Sequence, residues 1–383
     1  MIRISITILI ITIFSVTATA QKSKVLAIFQ LIETGKYEEA KTAVEEAIED
    51  ESTGRWYRTW YARGQLCQTA YKEGIEKNDK KKYALYPDQL YVAFDSYEKA
   101  MELDKSGKIT GQLAPKYVLL ANDLLKLAQE HYGKQEYQQS LKAFEHVLRI
   151  NQSPLLTLQP DTNLLYNTAL AAYKSGANEK ASDYLGQLNE STYSSNVPHL
   201  LASLHLGEGD TTAAVNVLTE SVNRYTDNVD LVLMLADLHY QQQQTDMAVR
   251  VLDTAAQKND SAYIFPYTKG LVYQKAEQYE KAIKAYKRAG KLAPGETRIY
   301  INTGTCYYNI GVDIERNALT LKNKQAVQRE KKKSLATLES ATEWFEKAYE
   351  SEPENQEVIS MLNQLYKTLQ RNDKLRDLEQ KSR

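Results

Sequence analysis

The sequence predicts an all-α fold: a solenoid of about eight helix-turn-helix repeats, closed by a C-terminal capping helix pair. Three observations carry this reading. The 383 residues hold only 16 Gly and 8 Pro, too little turn chemistry for a β-rich chain. Hydrophobic content of 43% and charged content of 25% belong to a folded chain rather than a disordered one. The third observation is a recurring phrase. Ala214, Ala248 and Ala282 stand 34 residues apart; four positions after each come Leu218, Leu252 and Tyr286, and three further on come Ser221, Ala255 and Ala289. Small, large and small residues at 0, +4 and +7 fall on one helical face. The small residues admit a neighbouring helix and the large one fills the space between.

The chain opens with Arg3, runs apolar from Ile4 to Val16 and reaches Ala18-Thr19-Ala20. That layout predicts a secretory signal over residues 1–20 and a mature chain from Gln21. The apolar run is about 13 residues, against the roughly 20 that a helix needs to span a bilayer. No later stretch approaches that length, so no membrane span is expected in the mature chain. The expected location is outside the cytoplasm: the periplasm first, with outer-membrane association or secretion as alternatives.

The small residue of the second helix falls at Ala40, Ala93, Ser140, Ala181, Ala214, Ala248, Ala282 and Ala341, with Leu375 marking a ninth, degenerate repeat. Repeats four and five carry Asn178 and Thr211 where repeats one, three and seven carry Tyr37, Tyr137 and Tyr279, which leaves their register open by a few residues. A first helix precedes each second one. Gly270 with Tyr273, and Gly304 with Tyr307, mark it in two repeats, and Leu235-Ala236 fills the same slot in a third. Pro294 and Pro353 end second helices, since proline lacks the N–H that another turn needs. The spacing widens to 53 residues between Ala40 and Ala93 and to 59 between Ala282 and Ala341. Helical insertions are therefore expected near 72–89 and 312–338. The second should form two lengthened helices, because it lacks Gly and Pro. Smaller excesses place linkers at Pro115, Pro154 and Pro160. The mature chain, 21–383, reads as one continuous array.

A 34-residue period with this pattern resembles the tetratricopeptide repeat (TPR) family, over nearly all of the mature chain. The run Tyr307-Tyr308-Asn309, a charged insertion, Trp344-Phe345-Glu346-Lys347-Ala348 and a helical tail is similar to exported TPR proteins of Gram-negative bacteria. The resemblance implies a right-handed superhelix whose concave groove, lined by first helices, holds a segment of a partner protein. It also implies contact positions on each first helix. Repeat two supplies Arg58, Tyr61, Gln65 and Gln68; repeat three Asn122, Leu125, Gln129 and Tyr132; repeat four Asn163, Tyr166, Leu170 and Tyr173. Repeat six supplies Asp230, Leu233, Asp237 and Tyr240; repeat seven Ile264, Tyr267, Leu271 and Gln274; repeat eight Arg298, Ile301, Thr305 and Tyr308. The recurring tyrosines have two readings, a binding face or packing between adjacent first helices, and the sequence leaves both open. The family's carboxylate clamp is not expected. It needs Lys and Asn where Tyr61 and Gln65, or Leu125 and Gln129, stand.

Catalytic patterns are missing. The sequence has no G-x-x-x-x-G-K-[ST], no H-E-x-x-H and no G-x-S-x-G. The stretch G-E-G-D-T-T at 207–212 reads as a turn between helices. His131, His146, His199, His205 and His239 have no metal-ligand spacing, and clusters such as Glu45-Glu46 read as solvated faces. No cofactor and no metal are expected. A formal charge of −1 argues against nucleic-acid binding. Cys67 and Cys306 read as small buried apolar groups. The lysines at 80–82 and 331–333 are either solvated helix ends or weak contacts for acidic surfaces. The expected function is a non-enzymatic interaction scaffold or adaptor of the bacterial envelope. Alternatives are a structural subunit of an envelope or secretion assembly and a binder of cell-wall or other carbohydrate polymer.

Overall fold

A computed structural model describes residues 22–156, 159 and 161–381. The expected signal and the linker residue Pro160 lie outside the described residues. Among the described residues there are twenty helices and no strand. The chain divides into two compact units, between Ser191 and Thr192.

The first unit holds four helix pairs. They are α1 (22–33) with α2 (Tyr37–Glu49), α4 (Tyr57–Glu76) with α6 (Gln89–Leu103), α7 (Thr110–Gly133) with α8 (Tyr137–Asn151), and α9 (Thr162–Ser175) with α10 (Asn178–Glu190). Two single-turn helices, α3 (Glu51–Gly54) and α5 (Lys80–Tyr83), sit in connections. The second unit holds five pairs: α11 (Asn196–Gly207) with α12 (Thr211–Arg224), α13 (Val229–Gln241) with α14 (Thr245–Lys258), α15 (Ile264–Lys275) with α16 (Tyr279–Leu292), α17 (Thr297–Ala318) with α18 (Lys324–Ser351), and α19 (Gln356–Thr368) with α20 (Asn372–Lys381).

The small residue of each second helix is where close approach occurs. Ala40, Ala93, Ser140, Ala181, Ala214, Ala248, Ala282 and Ala341 are all 0% exposed, which sets the register of repeats four and five. Four positions on, the large residue meets the first helix of its own pair, and the two trade volume. Gly64, Gly270 and Gly304 face Tyr97, Tyr286 and Phe345. In repeats four, five and six the corresponding pairs are Ala169 with Leu185, Ala202 with Leu218 and Ala236 with Leu252, all buried. Repeat one has Ile28 with Val44, also buried. A Cβ on Gly270 would lie 2.4 Å from the Tyr286 ring, and one on Gly304 would lie 2.9 Å from Phe345. Repeat three pairs Ala128 with Phe144, both buried, so the slot demands glycine only where the aromatic ring comes as close as in repeats two, seven and eight.

The turn between the two helices of a pair also repeats. Five residues before the small position the backbone is left-handed: Gly35, Asp88, Gln135, Gly176, Gly209, Gln243 and Glu277, and Gln370 five before Leu375. Repeat eight is the exception, because α18 is continuous through that point. Except at Asp88, the N–H after the left-handed residue closes the first helix, as in Gln244 to the His239 carbonyl and Gln278 to the Tyr273 carbonyl, both 2.8 Å; in repeat two Asp79, after left-handed Asn78, makes that bond to the Gly74 carbonyl at 2.8 Å. This is the Schellman arrangement. Glycine suits it best, yet Gln and Glu hold four of these eight positions, which conceals the turn from a search for Gly.

α17 and α18 run to 22 and 28 residues. Their added turns pack on each other, with Gly311 against Leu338 and the Ser334 hydroxyl donating to the Gly311 carbonyl at 2.8 Å. Near 72–89 the chain takes another course. α4 runs on to Glu76, and the segment then folds back so that Leu85 and Tyr86 are buried. The Gln89 amide holds this fold by donating to the carbonyls of Cys67 (2.8 Å) and Lys82 (3.0 Å). The linker expected at Pro115 is a correction: Pro115 lies inside α7. It stands in the second turn, exposed, and costs the single hydrogen bond to Gly111, a residue with no side chain to crowd the ring.

Candidate partner-binding site

In the first unit, α1, α4 and the start of α7 enclose an open pocket of about 320 Å³. Its floor is aromatic. Tyr61 lies with its ring 6.0 Å from Phe29 and 5.9 Å from Tyr97. Tyr57 and the half-exposed Leu26 complete the apolar wall. Its polar lining consists of Arg58, Lys108, Gln65, Gln112 and Glu33. None of these five side chains makes an ion pair or hydrogen bond among the described residues. Arg58 instead lies 5.6 Å from the Trp56 ring centre. Burial raises the Tyr61 hydroxyl above the usual tyrosine range, so the pocket presents it as a neutral donor.

Local structure holds this wall in place. An Asp50 oxygen caps α3 by accepting from the N–H groups of Ser52 and Thr53 at 2.9 and 3.0 Å. The Thr59 hydroxyl and the Trp60 indole then donate to the carbonyls of Thr53 and Gly54 at 2.6 and 2.8 Å. The start of α4, which carries Tyr57, Arg58 and Tyr61 over its first two turns, is thereby tied to α3. On the other side, Asp104 accepts from the Ile109 N–H at 2.8 Å and fixes the loop that presents Lys108.

Of the residues singled out in the sequence, Arg58, Tyr61 and Gln65 are brought together here. Gln68 is drawn inside the stack, where it accepts from the Tyr97 hydroxyl at 2.8 Å and donates to the Lys116 carbonyl at 3.0 Å. On α7, Asn122 and Gln129 are exposed, and Tyr132 is half-buried with its ring edge-on to Tyr137 at 5.3 Å. Tyr166 and Tyr173 on α9 are half-buried. In the second unit Asp237 is exposed and accepts from Gln241 at 2.6 Å, and Lys275 lies 5.4 Å from the ring of Tyr240. Tyr267 and Gln274 serve packing. Tyr267 is buried beside Tyr286 at 5.8 Å and accepts from Asn302 at 3.1 Å. Gln274 accepts from the Tyr286 hydroxyl at 2.6 Å. Arg298 pairs with Glu296 at 2.7 Å and Tyr308 accepts from Gln364 at 2.7 Å.

The sequence reading overlooked Phe29, Lys108 and Gln112. Phe29 is the residue after the slot twelve before Ala40, so counting back from Ala40 finds it. Gln112 was hidden by taking Pro115 as a linker, and Lys108 belongs to the loop ahead of that same early start of α7. The insertion lysines are partly engaged: Lys82 pairs with Glu73 at 2.7 Å and Lys333 with Glu330 at 2.9 Å. Cys67 and Cys306 are free and buried. Burial pushes both thiols up to about 12, which leaves them inert. The G-E-G-D-T-T stretch is a turn in which Asp210 caps α12 through the Ala213 N–H at 2.9 Å. Among the described residues no cluster of His, Cys, Asp or Glu is placed to hold a metal ion, and no helix is long and apolar enough to cross a membrane.

Comparison with known families now bears on these helix pairs. Two family models of the tetratricopeptide repeat match residues 205–264 and 267–296, which span α12 to α16 and carry the 34-residue register. The chain is a tetratricopeptide repeat protein. Its fold is the all-α TPR solenoid, built of helix pairs in both units. No curated protein matches this TPR chain. Among solved structures, a TPR repeats protein from Bacteroides fragilis is 19% identical with a TM-score of 0.37, covering 65% of this chain and 98% of its own. MamA from Desulfovibrio magneticus RS-1 is 19% identical at a TM-score of 0.35, covering 51% and 97%. YrrB, described as a TPR protein with an unusual peptide-binding site, is 15% identical at 0.36, covering 57% and 97%. These TM-scores are too low to carry a functional inference.

Proposed function

We propose that this TPR protein is a non-enzymatic interaction scaffold that holds an extended segment of a partner protein against its first helices. The observation that carries this reading is the pocket at α1, α4 and α7. Two cations and two amides stand without an ion pair or hydrogen bond among the described residues, above an aromatic floor. A peptide segment offers what each group lacks. Its backbone meets the amides of Gln65 and Gln112, a carboxylate meets Arg58 and Lys108, and a side chain lies on Tyr61. Asn122, Gln129, Tyr132, Tyr166 and Tyr173 offer further contacts on first helices of the same unit. The scaffold works outside the cytoplasm, in the bacterial envelope, as the apolar run at 4–16 and Ala18-Thr19-Ala20 suggest.

A photo-cross-linking residue at Gln65 of the full chain, in cells, tests the pocket. A discrete protein adduct is expected, and Arg58→Glu with Lys108→Glu should reduce it at least about tenfold, the cost of reversing contact charges, while the far-UV melting curve stays in place. An adduct that survives both substitutions would remove the pocket from the reading. Adducts formed only from a cross-linker at Lys331 would favour an assembly subunit, and pelleting with purified cell wall without any protein adduct would favour a polymer binder. Export has its own test. N-terminal sequencing of the protein recovered from the envelope fraction should begin at Gln21. An unprocessed chain in the cytoplasm would refute export.

A further inference from the structure

The second unit carries two pockets that are the same place one repeat apart. The first lies between α12 and α14 over α13, with about 350 Å³ of space; the second lies between α14 and α16 over α15, with about 220 Å³. Nine lining positions correspond at an offset of 34 residues, beginning with Thr219 to Asp253 and Leu235 to Lys269. In the second pocket those two residues form an ion pair at 2.7 Å that occupies the groove from within. In the first they are a threonine and a leucine, so the groove is open and apolar. Val215, Val222, Val232 and Val251 line it, and Met247, 40% exposed, sits at its mouth.

Charge is distributed just as unevenly. The linings hold Arg250 and Lys258 in the first pocket, and Lys269, Lys281, Lys284 and Arg288 in the second, against one carboxylate, Asp253. Six cations less one carboxylate leave +5, and Asp253 is already paired with Lys269. The other five cations form no ion pair among the described residues. The rims of these grooves are second helices over a floor of first-helix residues, whereas the pocket described above lies among first helices. An open apolar slot beside a groove of unpaired cations is complementary to an acidic segment carrying a bulky apolar side chain.

We propose that the second-helix face of α12, α14 and α16 is a separate docking site for such a segment of a partner protein. Its apolar side chain enters beside Met247, where the flexible thioether adapts to it. Its carboxylates lie over Lys284 and Arg288. The next repeat shows the same slot filled, by the Asp253–Lys269 pair.

The probe is a short fluorescein-labelled peptide with a Leu-Phe pair ahead of a run of glutamates, titrated with the full mature chain by fluorescence anisotropy. Saturable binding is expected, weakening as salt is raised. Control peptides with Gln for Glu, or Ser for the Leu-Phe pair, should each bind at least about tenfold more weakly, as expected when one of two recognition elements is lost. Lys284→Glu with Arg288→Glu, and separately Met247→Glu, should each weaken the probe by a similar factor. All three residues are exposed, so these variants keep the helical spectrum. Failure of the probe to bind, equal affinity for the Gln peptide, or indifference to both exposed variants would overturn the proposal.

Discussion

Gly270→Ala is expected to destabilise the second unit by about 1–3 kcal/mol, the usual cost of forcing a methyl into a packed core. The added Cβ would stand 2.4 Å from the ring of Tyr286, which is fully buried and hydrogen-bonded to Gln274 at 2.6 Å. The ring therefore has nowhere to move. The neighbouring repeat supplies the remedy, since Ala236 faces Leu252 at the same two positions. Combining Gly270→Ala with Tyr286→Leu should recover most of what Gly270→Ala loses. A double-mutant cycle on urea midpoints measures the coupling. Additive losses would show that the two positions do not trade volume, and that the shared pattern along the chain has another origin.

Phe345→Ala is expected to cost about 3–5 kcal/mol, in the range of buried Phe-to-Ala changes. Phe345 is fully buried and packs between Gly304 on α17 and the cluster containing Leu338, Val358 and Leu362. Gly304 has no side chain with which to fill the space left behind, so the cavity persists. Because the cluster joins α18 to α19, the loss should also loosen the last helix pair. Limited trypsin digestion should cut at Lys367 and Arg371 sooner in the variant than in the parent chain. Phe345→Leu, which keeps most of the volume, should retain most of the stability. A variant that melts with the parent would mean that the terminal pairs contribute little to the stability of the unit.

Much of this architecture is legible because repetition makes it redundant. The small position of the second helix recurs eight times, and all eight copies are buried. An error in one copy is corrected by the others. Features that occur once have no such support. Pro115 reads as a linker because proline usually breaks helices, yet it sits in the second turn of α7 where only one hydrogen bond is at stake. Misreading it removed the first turns of α7, and with them Gln112, from the candidate site. The turn between helices is periodic too, but its left-handed residue is Gln or Glu in four of eight places, so it has no single residue signature.

The tyrosines show where periodicity stops being informative. Tyr61 and Tyr267 occupy the same position in their first helices. Tyr61 faces an open pocket because α7 starts early and stands off it with Lys108 and Gln112. Tyr267 is covered, with Asn302 bonded to its hydroxyl and Arg298 5.8 Å from its ring. The sequence by itself determined the helix pairs, the register of all repeats but the fourth and fifth, and the class of fold, because these follow from contacts within one repeat, and each repeat encodes them anew. Which positions are open to a partner was decided only by tertiary structure. Accessibility depends on the neighbouring element, and that neighbour differs from repeat to repeat.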